Sequence, residues 1–172
     1  MKALVVYESM YGNTERIAQA VAEGLATRMR AEVAEVGSAP GHVGGEVALL
    51  VVGGPTHAFS MSRASTRDSA AQQAGGPLVS RGRGVREWLA TLSTSSAGLC
   101  SAAFDTRVAR PRLPGSAGRA VAKRLRRLGV RLVVPPRGFY VAGTQGPLVP
   151  GELERARQWG ESLAASVRVR AS

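Results

Sequence analysis

The chain has 172 residues, 44% hydrophobic and 5% aromatic, with 23 basic against 12 acidic side chains and a net charge of +11. This length is expected to form one domain, residues 1–172, with a core of Val, Leu and Ala that folds unaided, and the composition argues against extended disorder. Cys100 is the only cysteine, which excludes an internal disulfide and a thiolate metal cluster and makes a reducing cytoplasm the expected setting.

The longest apolar runs, such as residues 47–52, are far too short to span a bilayer, so a soluble, unexported protein is expected. The positive charge has two readings. An anionic partner is one; an arginine-rich surface inherited from a GC-rich genome is the other and the weightier, because a high isoelectric point speaks to association and solubility and not to fold. Nucleic acid is not expected as a partner, since the recognised motifs and interleaved aromatics of a single-strand platform are missing.

Taken in chain order, residues 2–7 read as a first strand and residues 13–30 as a helix with Ile17, Val21, Leu25 and Met29 on one face. Residues 31–36 suit a second strand, at an edge, and 38–45, with Pro40 and three glycines, an irregular connection. Residues 46–52 form a continuous apolar strand of the kind buried on both faces of a parallel sheet, ending at Gly53-Gly54-Pro55. Residues 56–82 are rich in Ser, Arg, Gln and Gly without clear periodicity, and read as a long functional or mobile loop.

A helix at 84–92 with Val85, Trp88, Leu89 and Leu92 precedes strand four at 99–104. An amphipathic helix at 117–128, stopped by Gly129, leads to a fifth strand at 130–134, resuming at 138–142 after Pro135-Pro136. The last helix runs from 151 to 167. Alternating strands and helices predict an α/β fold, a three-layer sandwich on a doubly wound five-stranded parallel sheet. Ligands bind such sheets beyond the carboxyl ends of the strands, where residues 8–14, 53–59 and 105–112 should converge.

Ser9-Met10-Tyr11-Gly12-Asn13-Thr14 lies between strand one and helix one. A strand turning through glycine into a helix leaves backbone N–H groups pointing outward at the positive end of the helix dipole, an arrangement suited to phosphate. With Gly53-Gly54-Pro55-Thr56-His57-Ala58-Phe59 as a second loop, the chain resembles a flavodoxin from end to end, as a basic and atypical member. The resemblance implies a strand order of 2-1-3-4-5 and FMN as cofactor.

By the same resemblance, Ser9, Met10, Tyr11, Gly12, Asn13 and Thr14 would surround the FMN phosphate. Pro55, Thr56, His57, Ala58 and Phe59 would flank the flavin ring on one side, and Phe104, Asp105, Thr106 and Arg107 on the other. Two departures stand out: flavodoxins are usually acidic, and the 105–108 segment offers no aromatic to stack on the ring. Arg107 near the ring would stabilise an anionic reduced flavin and make its potential less negative.

Each residue also has a plainer reading. His57 is as well explained as a structural hydrogen-bonding residue, Phe59 as a packing residue under its loop and Asp105 as a turn residue. Trp88, Trp159 and Cys100 fit core packing. Arg63, Arg67, Arg81, Arg83 and Arg86 could dock an acidic electron donor or belong to a solvated loop, and Arg119, Arg124, Arg126, Arg127 and Arg131 a solvated helix face and its exit.

The sequence therefore points to an FMN-binding redox protein, an electron carrier or a small flavin-dependent oxidoreductase, with a redox partner that is acidic. The alternative is a flavodoxin-like module that has lost flavin and binds another phosphorylated ligand or an acidic protein. A dinucleotide-binding unit would need Gly-x-Gly-x-x-Gly, a receiver domain an acidic cluster, and a nucleotide hydrolase Gly-Lys-[Ser/Thr]; none is present.

Overall fold

A computed structural model describes residues 1–96 and 98–168. Strands β1 (Lys2–Tyr7), β2 (Arg30–Glu35), β4 (Val47–Pro55) and β6 (Cys100–Val108) form the parallel sheet in the order β2-β1-β4-β6. The fifth position is shared by β7 (Arg131–Leu132) and β8 (Arg137–Val141), both parallel to β6. Pro135-Pro136 divides them, because proline has no N–H to give to the ladder. The observed arrangement is thus the expected 2-1-3-4-5 order with its last strand in two pieces.

Helices α1 (Asn13–Ala26) and α5 (Glu152–Arg168) cover one face of the sheet. Ile17, Val21 and Leu25 from α1 pack with Trp159 and Leu163 from α5 and with Val5, Val51 and Phe104 from the strands. Phe104, Phe139 and Trp159 meet edge to face, with ring centroids about 6 Å apart. The other face is covered by α3 (Val85–Thr91) and α4 (Ala117–Arg127), with Trp88, Leu89, Val121 and Leu125 against Val6, Leu50 and Val52. β1 and β4 are buried on both sides, so their apolar runs do not alternate. Both tryptophans and Cys100 are buried.

α1 and α5 cross at Gly24 and Gly160, where a Cβ on Gly160 would overlap the Val21 carbonyl and one on Gly24 the Arg157 carbonyl. Gly160→Ala should therefore push the helices apart and lower stability by about 1–3 kcal/mol, read from the urea midpoint.

Three features depart from the sequence reading. Within 56–82 lies a helix, α2 (Ala64–Gln73), of which only Ala70 is buried, so it carries no apolar stripe. Residues 42–43 form β3, paired with β5 (Ser93–Thr94) as a separate two-stranded sheet. The fourth strand extends through Val108, so 105–108 are sheet residues and not a loop.

Candidate functional site

The segment after β1 is built to leave donors free. Gly12 adopts φ 95°, a left-handed turn open to glycine, and α1 starts directly after it without a side-chain cap. Arg16 N–H is the first amide of the helix to find a carbonyl, that of Gly12. Gly12 N–H is held by Ser9 Oγ at 3.1 Å, and Ser9 N–H by Ser80 Oγ at 2.9 Å. Among the described residues the amides of Met10, Tyr11, Asn13, Thr14 and Glu15 have no acceptor. Five backbone donors gathered at one glycine turn, at the positive end of a 14-residue helix, form an anion cradle.

The cradle is braced from outside the motif. Val79 N–H and Ser80 N–H donate to the carbonyls of Met10 and Ser9, laying residues 79–80 alongside the loop. Tyr11 Oη donates to Ala70 O of α2, and Gln145 Nε2 to Gln73 O. Asn13 Nδ2 reaches Gln145 O at 3.3 Å, so the turn around 143–146 closes against the first turn of α1. Thr14 Oγ1 lies 2.7 Å from Thr106 Oγ1, tying α1 to β6.

From the cradle a cleft of about 290 Å³ runs along the carboxyl ends of β1, β4 and β6. Of the fifteen residues expected at the site, Ser9, Met10, Tyr11, Asn13, Thr14, Pro55, Thr56, His57, Ala58, Thr106 and Arg107 line it. Gly12 shapes the cradle from behind. Phe59, in the left-handed conformation at φ 72°, turns outward and does not line the cleft.

Phe104 and Asp105 are also turned away. Strand alternation sends Phe104 into the aromatic core under the sheet. Asp105 faces α4, where it accepts from Gly118 N–H at 2.9 Å and from Ser116 Oγ, stabilising the start of that helix. The missed wall is α2, which contributes Thr66, Ser69, Ala70 and Gln73, joined by Val108, Val141 and Thr144. The signals for α2 were its helix-forming Ala and Gln residues and the Gly75-Gly76-Pro77 stop that follows.

Among the described residues no carboxylate lines the cleft. Arg107, the one permanent cation among the described lining residues, is tied to Asp105 through Nε and Nη2, both at 3.0 Å, which offsets much of its charge. Burial, with the nearby Arg67 guanidinium, pushes the His57 imidazole below its ordinary value, so the ring is neutral near neutral pH. His57 Nδ1 is 3.1 Å from Thr66 Oγ1, and Nε2 has no partner among the described residues.

Beneath the 57–63 loop, Glu8 is 1% exposed. Its Oε2 accepts from Ser62 Oγ at 2.5 Å and its Oε1 from Val85 N–H at 2.8 Å. Arg67 donates to Ser62 Oγ and pairs with Glu87, while Arg86 donates to the carbonyls of Ser62 and Met61. Two of the arginines considered for partner docking are therefore structural braces of the loop. Glu8 opens the 8–14 segment expected at the site, but its bracing role had no signal beyond a carboxylate at the end of an otherwise apolar strand.

The flavodoxin family model matches residues 5–75. The fold is similar to that of flavodoxin 1 from Bacillus cereus, at 16% identity and a TM-score of 0.67 over 100% of both chains. A flavodoxin from the domain Archaea matches at 20% identity and a TM-score of 0.65, covering 98% of this chain and 99% of that one. Rubredoxin oxygen:oxidoreductase from Desulfovibrio gigas matches at 14% identity and a TM-score of 0.64 over 99% of this chain, which spans 37% of that longer protein. No curated protein sequence matches. The chain is flavodoxin-like in its family match and in its fold, and no helix among the described residues is long and apolar enough to cross a membrane.

Proposed function

We propose that this flavodoxin-like chain binds FMN and passes electrons between the flavin and a partner protein in a reducing cytoplasm. The observation that carries the reading is the cradle of five unpartnered amides opening onto the cleft between residues 55–58 and 106–108. The donor set fits a phosphate monoester: backbone N–H groups and the Ser9 hydroxyl, with no carboxylate to repel it. Bound FMN would supply the redox chemistry; the protein holds it, orients it and sets its potential.

Ser9, Met10, Tyr11, Gly12, Asn13 and Thr14 would hold the phosphate, with Pro55, Thr56, His57 and Ala58 on one side of the ring and Thr106 and Arg107 on the other. Thr66, Ser69 and Gln73 of α2 join the set, while the packing of Phe104 and Asp105 assigns them a supporting role. An absorption spectrum of the purified protein tests the reading. The two visible bands of oxidised flavin are expected, and a colourless protein that also fails to take up added FMN would reject it.

The carboxylate-free lining favours an anionic reduced flavin, so both redox couples should be less negative than in an acidic flavodoxin. Arg107→Gln would leave the Asp105 charge uncompensated beside the cleft. An interaction on the order of 1 kcal/mol would then lower the second couple by roughly 40 mV, measured by spectroelectrochemical titration. No change in either couple would remove Arg107 from the account.

A second reading, a module that binds another phosphorylated ligand without flavin, draws on one observation: among the described residues, Tyr11 and His57 are the only ring-bearing side chains, proline aside, in the cleft. Binding of inorganic phosphate with no response to FMN would favour it.

A further inference from the structure

Apart from Met1, the two most exposed large apolar side chains among the described residues are Phe59, at 52%, and Leu113, at 58%. They belong to loops that touch, since Phe59 lies against Gly115 so closely that a Cβ there would overlap its backbone and Cβ. Ala58 and Phe59 are also the only non-glycine residues among those described with positive φ, 46° and 72°. A bulky residue in that conformation is strained, and here the strain holds an aromatic ring out in water. Paired hydrogen bonds between His57 and Ser60, at 2.8 and 3.0 Å, close this turn, while the ring itself stays half exposed.

The same rim is cationic. Arg63, Arg110 and Arg112 are exposed, and none makes an ion pair with a described carboxylate. Arg110 and Arg112, with Tyr140, line a second cleft of about 570 Å³ just beyond the end of β6. The loops 57–63 and 109–116 contain no acidic residue. Exposed apolar side chains on two touching loops whose only formal charges are unpaired cations suit a protein interface, with the aromatic as anchor and the charges steering a partner of opposite sign.

We propose that Phe59 and Leu113, with Arg63, Arg110 and Arg112 around them, form the docking face for an acidic redox protein. Its carboxylates would enter the Arg110–Arg112 cleft while its apolar surface covers Phe59 at the mouth of the flavin site. The inference deepens the proposed function, but docking itself is measured separately from flavin binding.

The test is a calorimetric titration with an oxidised acidic [2Fe–2S] ferredoxin, with a basic cytochrome c as control, on protein with and without FMN. Ferredoxin should bind and cytochrome c should not, and affinity should fall about tenfold or more between 50 and 300 mM salt. Phe59→Asn combined with Leu113→Asn removes both apolar groups, and asparagine tolerates the left-handed backbone at 59. This variant should bind ferredoxin at least about tenfold more weakly, and Arg110→Ser with Arg112→Ser should abolish most of the salt dependence.

Transfer from reduced ferredoxin, two clusters each giving one electron per FMN reduced, should slow in the same variants while reduction by dithionite does not. Failure to bind FMN with ferredoxin docking intact would reject the flavin reading and keep the interface. Four results would overturn the interface: equal binding of cytochrome c, unchanged affinity in the variants, a loss of FMN affinity on Phe59→Asn, which would make the ring a flavin lid, or loss of self-association in that variant, which would make it a dimer contact.

Discussion

Replacing Glu8 with alanine should lower the unfolding free energy by about 3–5 kcal/mol, the cost of breaking a buried charged network from one side. The truncation would strand Val85 N–H and the Ser62 hydroxyl proton, both now satisfied by this carboxylate, and loosen Ser62 from Arg67, whose own ion pair with Glu87 would remain. Because Ser62 ends the loop that presents His57 and Ala58 to the cleft, flavin affinity should fall as well. Urea denaturation at fixed pH reads the first effect and FMN titration the second.

Glu8→Gln keeps the shape and separates charge from packing. Burial raises the Glu8 carboxyl above its ordinary value of 4.5, against the opposing pull of Ser62, Val85 and Arg67. A carboxyl raised in the folded state binds its proton more tightly there than in the unfolded chain. Its contribution is fully present below the unfolded pKa and is lost as pH rises through the folded value. The stability difference between wild type and Glu8→Gln should therefore be largest in acid and shrink towards neutrality. A difference that grows from pH 4 to pH 7 would contradict the burial account.

The second large effect is expected at Gly12. Space is not the obstacle, since nothing lies within 4 Å of where a Cβ would sit, but a β-branched residue cannot adopt φ 95° without strain. Gly12→Val should therefore flip the turn and scatter the amides of residues 10–15. Losing two charge-assisted hydrogen bonds at about 1.5–3 kcal/mol each weakens FMN binding roughly a hundredfold or more. The global fold, whose cores lie elsewhere, should lose only about 1–2 kcal/mol. Gly12→Asn, which tolerates the left-handed region, should bind FMN within about tenfold of wild type. Equal affinity in Gly12→Val would show that the cradle does not hold the cofactor.

Much of this was legible in the sequence, for identifiable reasons. β1 and β4 announced themselves as unbroken apolar runs because both faces are covered, and Ser9 to Thr14 because glycine and short polar residues have few other uses between a strand and a helix. The site residues that did not follow depend on tertiary context. Phe104 and Thr106 share one face of β6, and which of them meets the cleft depends on where the packing of α1 and α5 ends along a strand that runs four residues beyond its apolar segment because β4 and β8 continue alongside it.

α2 escaped because its helical conformation is not written in hydrophobic spacing. Thr66 Oγ1 accepts from Arg63 N–H, and Ala70 O accepts from Tyr11 Oη, contacts between distant or polar groups. The Glu8 network has the same character: Ser62, Arg67 and Val85 are separated from Glu8 by more than fifty residues, and only the fold brings them together.

The most direct measurement is a fluorescence titration of FMN with the protein stripped of any bound flavin. The flavin emission should quench to a one-to-one endpoint with a dissociation constant in the micromolar range or below, about −8 kcal/mol or better. Inorganic phosphate should compete, and riboflavin, which lacks the phosphate, should bind roughly a hundredfold or more weakly. Equal affinity for riboflavin and FMN, or no quenching at all, would contradict the assignment of residues 9–14 as the phosphate cradle.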